Sequence, residues 1–301
     1  MLRLGAASVL LAGLAAGQSC GTLPVTTSFS GNAIKLPDPF TFLNGSKRYE
    51  LGPMPAAPEV QASLSGTRLT ITVKANGKTL TMTPTIRMPS SGQGPFPALI
   101  ALGGVSIPVP ANVALITYNN EEITATNPRG KGKFFDFRIM DTLEQLGPAI
   151  TKIDPKRIAI TGCLRNGKGA IFATEFSKYI NALDKLPHNH HILATIIAPR
   201  PFLVIKNSGI DYLSPISSYG YTSAARMVYE ALSATDAIGF SQVAYGSSHY
   251  QLPSSQNADV AAFFNRFLLG QDSVSTKTWK PDAKLNLDLK RYVDWTAPKL
   301  G

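Results

Sequence analysis

The stretch Ile158 to Lys168, IAITGCLRNGK, decides the fold. It opens as a short apolar run, passes Gly162, and enters a helical pattern that runs from Gly167 to Lys185. Strand, tight glycine-flanked turn and helix follow one another within a few residues. Similar runs stand on either side: PALIAL at Pro97 to Leu102, VALITY at Val113 to Tyr118, and IIAPRPFLVI at Ile196 to Ile205. Continuous apolar runs bounded by turn residues suit strands buried on both faces, as in a parallel sheet. Helical patterns lie between or after them at Phe137 to Leu146, Thr222 to Leu232 and Ala258 to Leu269. This alternation predicts an open α/β sheet held between helices. Ahead of it, RLTITVK (Arg68 to Lys74) and LTMTPTIR (Leu80 to Arg87) flank Asn76-Gly77, a hairpin signal. Residues 18–67 read as loop-rich, and residues 271–301 as a polar tail.

The chain has 301 residues, of which 44% are hydrophobic and 16% charged. The length suffices for one α/β domain with a large core. The balance excludes a disordered, coiled-coil or collagen-like chain. Two cysteines, Cys20 and Cys163, exclude a disulfide-dense scaffold. The formal net charge of +10 favours an acidic polymer as partner.

Residues 1–17 read as a secretory signal peptide. Arg3 forms the positive start, Gly5 to Leu14 the apolar run, and Ala15 and Gly17 the small residues before a cut at Gln18. The run is too short to span a bilayer. The expectation is a secreted, extracellular protein without a membrane span, composed of one domain over residues 18–301. Export argues against nucleic acid as the partner of the positive charge. Asn44-Gly45-Ser46 is a glycosylation sequon, which makes Asn44 a candidate glycan site.

The turn after Ile158 to Thr161 has the context of a nucleophile elbow, the strained strand-to-helix turn of α/β-hydrolases. The elbow position, two residues after Gly162, is Leu164. Leucine has no lone pair to attack an ester. His249, in the loop GSSHYQLP (Gly246 to Pro253), follows a strand-like run and precedes the last helix, the place of the base in such folds. Asp211, in NSGIDYL (Asn207 to Leu213), follows the strongest strand and is a candidate acid to orient His249. The cluster of His188, His190 and His191 lacks a carboxylate at helical spacing, so no metal and no cofactor is expected.

These segments resemble the fungal glucuronoyl esterases, carbohydrate esterase family fifteen. The matching stretches are RYEL (Arg48 to Leu51), GKGKFF (Gly130 to Phe135), GCLRNGKG (Gly162 to Gly169), HHILATIIAPR (His190 to Arg200), HYQLP (His249 to Pro253), FLLGQ (Phe267 to Gln271) and Asp294-Trp295-Thr296. The resemblance implies an α/β-hydrolase three-layer αβα sandwich. It implies metal-free serine-type hydrolysis of 4-O-methyl-glucuronoyl esters that join xylan to lignin. It places Leu164 at the nucleophile, Arg165 at the oxyanion, Lys168 at sugar hydroxyls and His249 at the base. Glucuronoxylan or a lignin–carbohydrate ester is the implied partner, and the protein is expected to be a monomer.

The departures are as informative as the matches. The nucleophile serine is replaced by Leu164. Between Phe176 and His191 the chain lacks roughly forty to fifty residues, a stretch that holds the family's acid and much of its sugar site. This estimate far exceeds the few residues by which element boundaries blur. Shorter absences follow Phe137 and fall between Lys47 and Arg48. Relatives pair the elbow cysteine with one beside the base, where this chain has Tyr250. Cys163 and Cys20 thus read as halves of two different bridges. The expectations are an incomplete sheet and helix cover, and no esterase activity. Two alternatives stay open: a non-catalytic polysaccharide-binding protein, or the product of a decayed or misassembled gene.

Overall fold

In a computed structural model of the full-length chain, residues 10–13, 39, 59–75, 77–119, 152–163, 190–247, 251–282 and 286–298 are described. The buried apolar runs become β6 (Phe96–Leu102), β7 (Ala114–Tyr118), β8 (Ile153–Cys163) and β9 (Phe202–Asn207). Six of the seven residues of β6 and all six of β9 are buried, as strands covered on both faces require. Two further strands, β10 (Ile238–Val243) and β11 (Trp279–Lys280), extend the parallel part.

At the other end the sheet turns antiparallel through β5 (Thr85–Arg87), β3 (Arg68–Ala75) and β2 (Glu59–Ser65), with β4 (Lys78–Met82) paired to β3. Ala75 pairs with Lys78 across a two-residue turn in which Gly77 has φ 72°. That is the expected hairpin, closed where a left-handed residue is needed. The strand expected over Leu80 to Arg87 is two pieces, because Pro84 cannot donate to a ladder and separates them. β2 lies inside the region expected to be loop. Its residues EVQASLS are mostly exposed, so no apolar pattern marked them.

Helix α1 (His190–Ile197) takes the first two residues of the apolar run Ile196 to Ile205 expected as one strand. A cis Ala198–Pro199 bond and a short turn then separate it from β9. Helices α2 (Pro215–Ala231) and α3 (Ser254–Phe263) complete the layers. Alternation along β9 sorts them. Phe202 and Val204 pack with Ala194, Ala225 and Tyr229 on the α1–α2 face. Leu203 and Ile205 pack with Val260, Phe263 and Phe264 on the α3 face. The result is a three-layer αβα sandwich. The helices expected at Phe137 to Leu146 and Gly167 to Lys185 lie outside the described residues.

The sheet order is β11-β10-β9-β1-β8-β6-β7-β5-β3-β2, where β1 is Leu10–Gly13. β1 runs parallel to β8, with Leu10 opposite Ile160, and parallel to β9, with Leu10 opposite Phe202. A segment read from sequence as an exported leader thus pairs at the centre of the sheet of the uncut chain. β8 and β9 do not pair with each other. The site between them is one strand wide.

On the α3 face the packing is close enough to exclude a methyl group at Gly239. A Cβ there would lie 2.7 Å from Phe263 and 2.8 Å from Leu203. Gly239→Ala is predicted to cost about 1–3 kcal/mol through overpacking, measured by urea unfolding. Unchanged stability would show that this face is looser than described.

Candidate active site

β6, β8, β9 and β10 are parallel, so their carboxyl ends meet on one edge of the sheet. In open α/β sheets that edge carries the site. β8 ends at Cys163, and the elbow position Leu164 is the next residue. Leu164, Arg165, Lys168, His249 and Asn44 all lie outside the described residues, as do Cys20 and His188. What the structure places are the strand ends and loops that lead to them.

Cys163 is a buried thiol. Burial pushes its pKa up, and a hydrogen bond with Ser106 offsets this in part. A thiol is nucleophilic only as thiolate. At neutral pH Cys163 is therefore protonated and poorly suited to replace a serine at the next position. Ser106 comes from the loop after β6, which opens with Gly103 (φ 69°) and Gly104 (φ 110°). A glycine pair at this place, beside the elbow strand, is where α/β-hydrolases draw their second oxyanion N–H. Sequence reasoning missed it, although the pair follows PALIAL directly.

β9 runs into the loop that carries Asp211. Asp211 is exposed, at the start of a short 3₁₀ turn, Asp211–Leu213. The buried Lys206 ammonium holds that turn by donating to the Leu213 carbonyl at 2.7 Å. The Ser208 hydroxyl donates to the Asp282 carboxylate. Ser208, Asp211 and Asp282, with Ser214, Pro215 and Ala244, line a cleft of about 450 Å³. Asp211 therefore stands at the same sheet edge as the elbow. The strand that leads to it, β9, is separated from β8 by two inter-strand steps, about 10 Å.

β10 ends at Val243 and leads to the loop that continues to His249. Half-buried Tyr245 shows where this loop goes. Its hydroxyl is pushed above the ordinary phenol range by burial and by the nearby Cys163. Two residues beyond β10, the Tyr245 N–H donates to the carboxamide oxygen of Asn207 at 3.3 Å, which holds the loop at the end of β9. The histidines expected to serve structure do so in part. His191 is fully buried and stacks on Trp295 with ring centroids 6.3 Å apart, which pins the C-terminal tail to α1. His190 lies 5.5 Å from the ring of Tyr221.

Strand order and the helical layers on both faces define an α/β-hydrolase frame. Comparison with known proteins resolves the class. The family described as "Glucuronyl esterase, fungi" matches in two stretches, residues 71–181 and 171–233. The 4-O-methyl-glucuronoyl methylesterase of Thermothelomyces thermophilus is 34% identical, covering 88% of this chain and 88% of its own. The glucuronoyl esterase catalytic domain of Hypocrea jecorina superposes with a TM-score of 0.76 at 33% identity, covering 91% of this chain and 95% of that one. A Sporotrichum thermophile glucuronoyl esterase in complex with methyl 4-O-methyl-β-D-glucopyranuronate gives a TM-score of 0.72 at 34% identity, covering 86% and 94%. The chain belongs to the fungal glucuronoyl esterase family. The Thermothelomyces alignment runs over 357 positions against 301 residues in the whole chain, so at least 56 positions have no counterpart here. The two matched stretches meet at 171–181, beside the main absence read from the sequence.

Folding holds the Cys163 proton beyond the ordinary value of 9.0. The stability this group contributes is therefore complete below that value and lost as pH rises through the raised one. In a Cys20→Ala chain at pH 8, Cys163 is predicted to resist a disulfide-exchange reagent until the protein unfolds. Rapid labelling of the folded chain, followed by thionitrobenzoate absorbance, would contradict a buried, protonated thiol.

Proposed function

We propose that this chain is a secreted, monomeric member of the glucuronoyl esterase family that has lost ester hydrolysis and retains affinity for uronic-acid polysaccharide. The observation that carries this reading is Leu164, one residue beyond the end of β8. The family reaction needs an oxygen nucleophile at the elbow, a histidine to take its proton, a carboxylate to orient that histidine, and donors for the oxyanion. His249 is present as base and Arg165 as oxyanion donor. Asp211 replaces the acid lost with the missing segment. Nothing replaces the nucleophile. Cys163 is adjacent, but its thiol is buried and its pKa raised.

Lys168 and the +10 net charge suit a polymer carrying glucuronate. Residues 1–17 act as the export signal, Asn44 carries the glycan, and the natural context is the plant cell wall where lignin is degraded. Neither a metal nor a cofactor takes part.

Loss of a serine nucleophile alone removes about a million-fold of rate in a related mechanism. The purified chain is therefore expected to give no turnover of benzyl glucuronate above buffer. Turnover that disappears in His249→Ala would overturn the reading. The binding half is tested by affinity electrophoresis in glucuronoxylan. Retardation that weakens in Lys168→Ala supports it, and unretarded migration refutes it.

The strand-wide site between β8 and β9, filled by Leu10–Gly13, favours a second reading. Here the chain is the product of a decayed or misassembled gene, and the missing segment would have supplied the strand for this place. Transcript sequencing across residues 176–190 decides. A messenger RNA that carries the missing segment and a serine codon at 164 restores the hydrolase.

A further inference from the structure

The last residue of β9 is Asn207, 4% exposed. Its carboxamide reaches both loops that leave this sheet edge. The oxygen accepts from the Gly209 N–H at 2.8 Å and from the Tyr245 N–H at 3.3 Å. The amide nitrogen donates to the Gly246 carbonyl at 2.9 Å. Alongside it, the Ser208 N–H donates to the Val243 carbonyl at 3.1 Å. The loops also touch directly: a Cβ on Gly209 would lie 3.5 Å from the Gly246 nitrogen and oxygen. Gly246 has φ 71°, a left-handed turn that sends the chain on towards His249.

A carboxamide supplies from one short side chain an acceptor for two N–H groups and, on a separate atom, a donor for a carbonyl. Asn207 itself is buried, so its own polar atoms would be costly to leave unpaired. The carboxamide therefore ties the end of β9 and the loop after it to the loop after β10.

We propose that Asn207 is a positioning residue of this site, locking the loop that leads to His249 onto the loop that carries Asp211. It touches no substrate and acts through these two loops. The proposal rests on the reading of His249 as the base, and the two parts fail separately in the experiment below.

The test uses the full chain with Asn207→Leu and Asn207→Asp. Leucine fills the space without hydrogen bonds, whereas aspartate keeps both acceptor bonds and loses the donor. Amide hydrogen exchange should rise at least tenfold at Gly209 and Tyr245 in Asn207→Leu, with the rest of β9, β10 and α3 unchanged. Asn207→Asp should recover protection at those two amides, where a role in packing alone predicts the reverse order. The His249 ring resonances should shift or broaden in Asn207→Leu and return towards the parent in Asn207→Asp. Uniform exchange changes, or none at Gly209 and Tyr245, would overturn the clamp. An altered loop with unmoved His249 resonances would overturn its role in positioning the base. Neither result bears on whether the chain hydrolyses esters, which the benzyl glucuronate assay reads alone.

Discussion

Everything at this site hangs on the pairing of β8. Interior strands must have their backbone N–H and C=O groups satisfied on both edges. On one edge β8 pairs with β6 from Phe96 to Leu102. On the other it faces a place one strand wide, closed in the full-length chain by only four residues, Leu10–Gly13. The distance from the elbow to the acid and base loops is set by that place being filled. A strand there keeps β8 and β9 two inter-strand steps apart. The segment that fills it here is the apolar run of the expected leader. The proposed export signal and the closed sheet thus draw on the same residues.

The antiparallel end and the helical layers do not depend on this place. Leu69, Ile71 and Val73 of β3 form one core with Ile86, Ile100 and Ile116. The α3 face has its own core around Phe263 and Phe264, and the α1–α2 face another around Phe202, Tyr229 and Phe240. A buried polar group on the α3 side adds to this. Asp259 accepts from Ser241 at 2.8 Å and from Lys280 at 2.6 Å, tying α3 to β10 and β11. The frame of the family is held by packing that is independent of the residues at the elbow.

The fold was legible where burial writes itself into composition. PALIAL, VALITY and FLVI lie in strands covered on both faces, where apolar side chains dominate. It was illegible where one apolar run joins two elements or where burial is absent. The helix HHILATII ends and the strand FLVIKN begins within the single run Ile196 to Ile205, so periodicity could not part them. EVQASLS pairs with β3 while mostly exposed, so its strand identity lies in a partner and not in its own pattern. At the site, glycine spacing points to an elbow at Leu164, just beyond the described end of β8. Asn207 was invisible because its partners Tyr245 and Gly246 stand 38 and 39 residues away. A side chain that joins two loops leaves no local signal.

The central claim is that the esterase frame survives here without a nucleophile. The most direct test is intact-mass and peptide mapping of the folded full-length chain after treatment with a fluorophosphonate, which traps activated serines and their substitutes. The account predicts no adduct anywhere in Ile158 to Lys168. An adduct in that stretch that disappears in His249→Ala would show an activated nucleophile at the elbow and contradict the account.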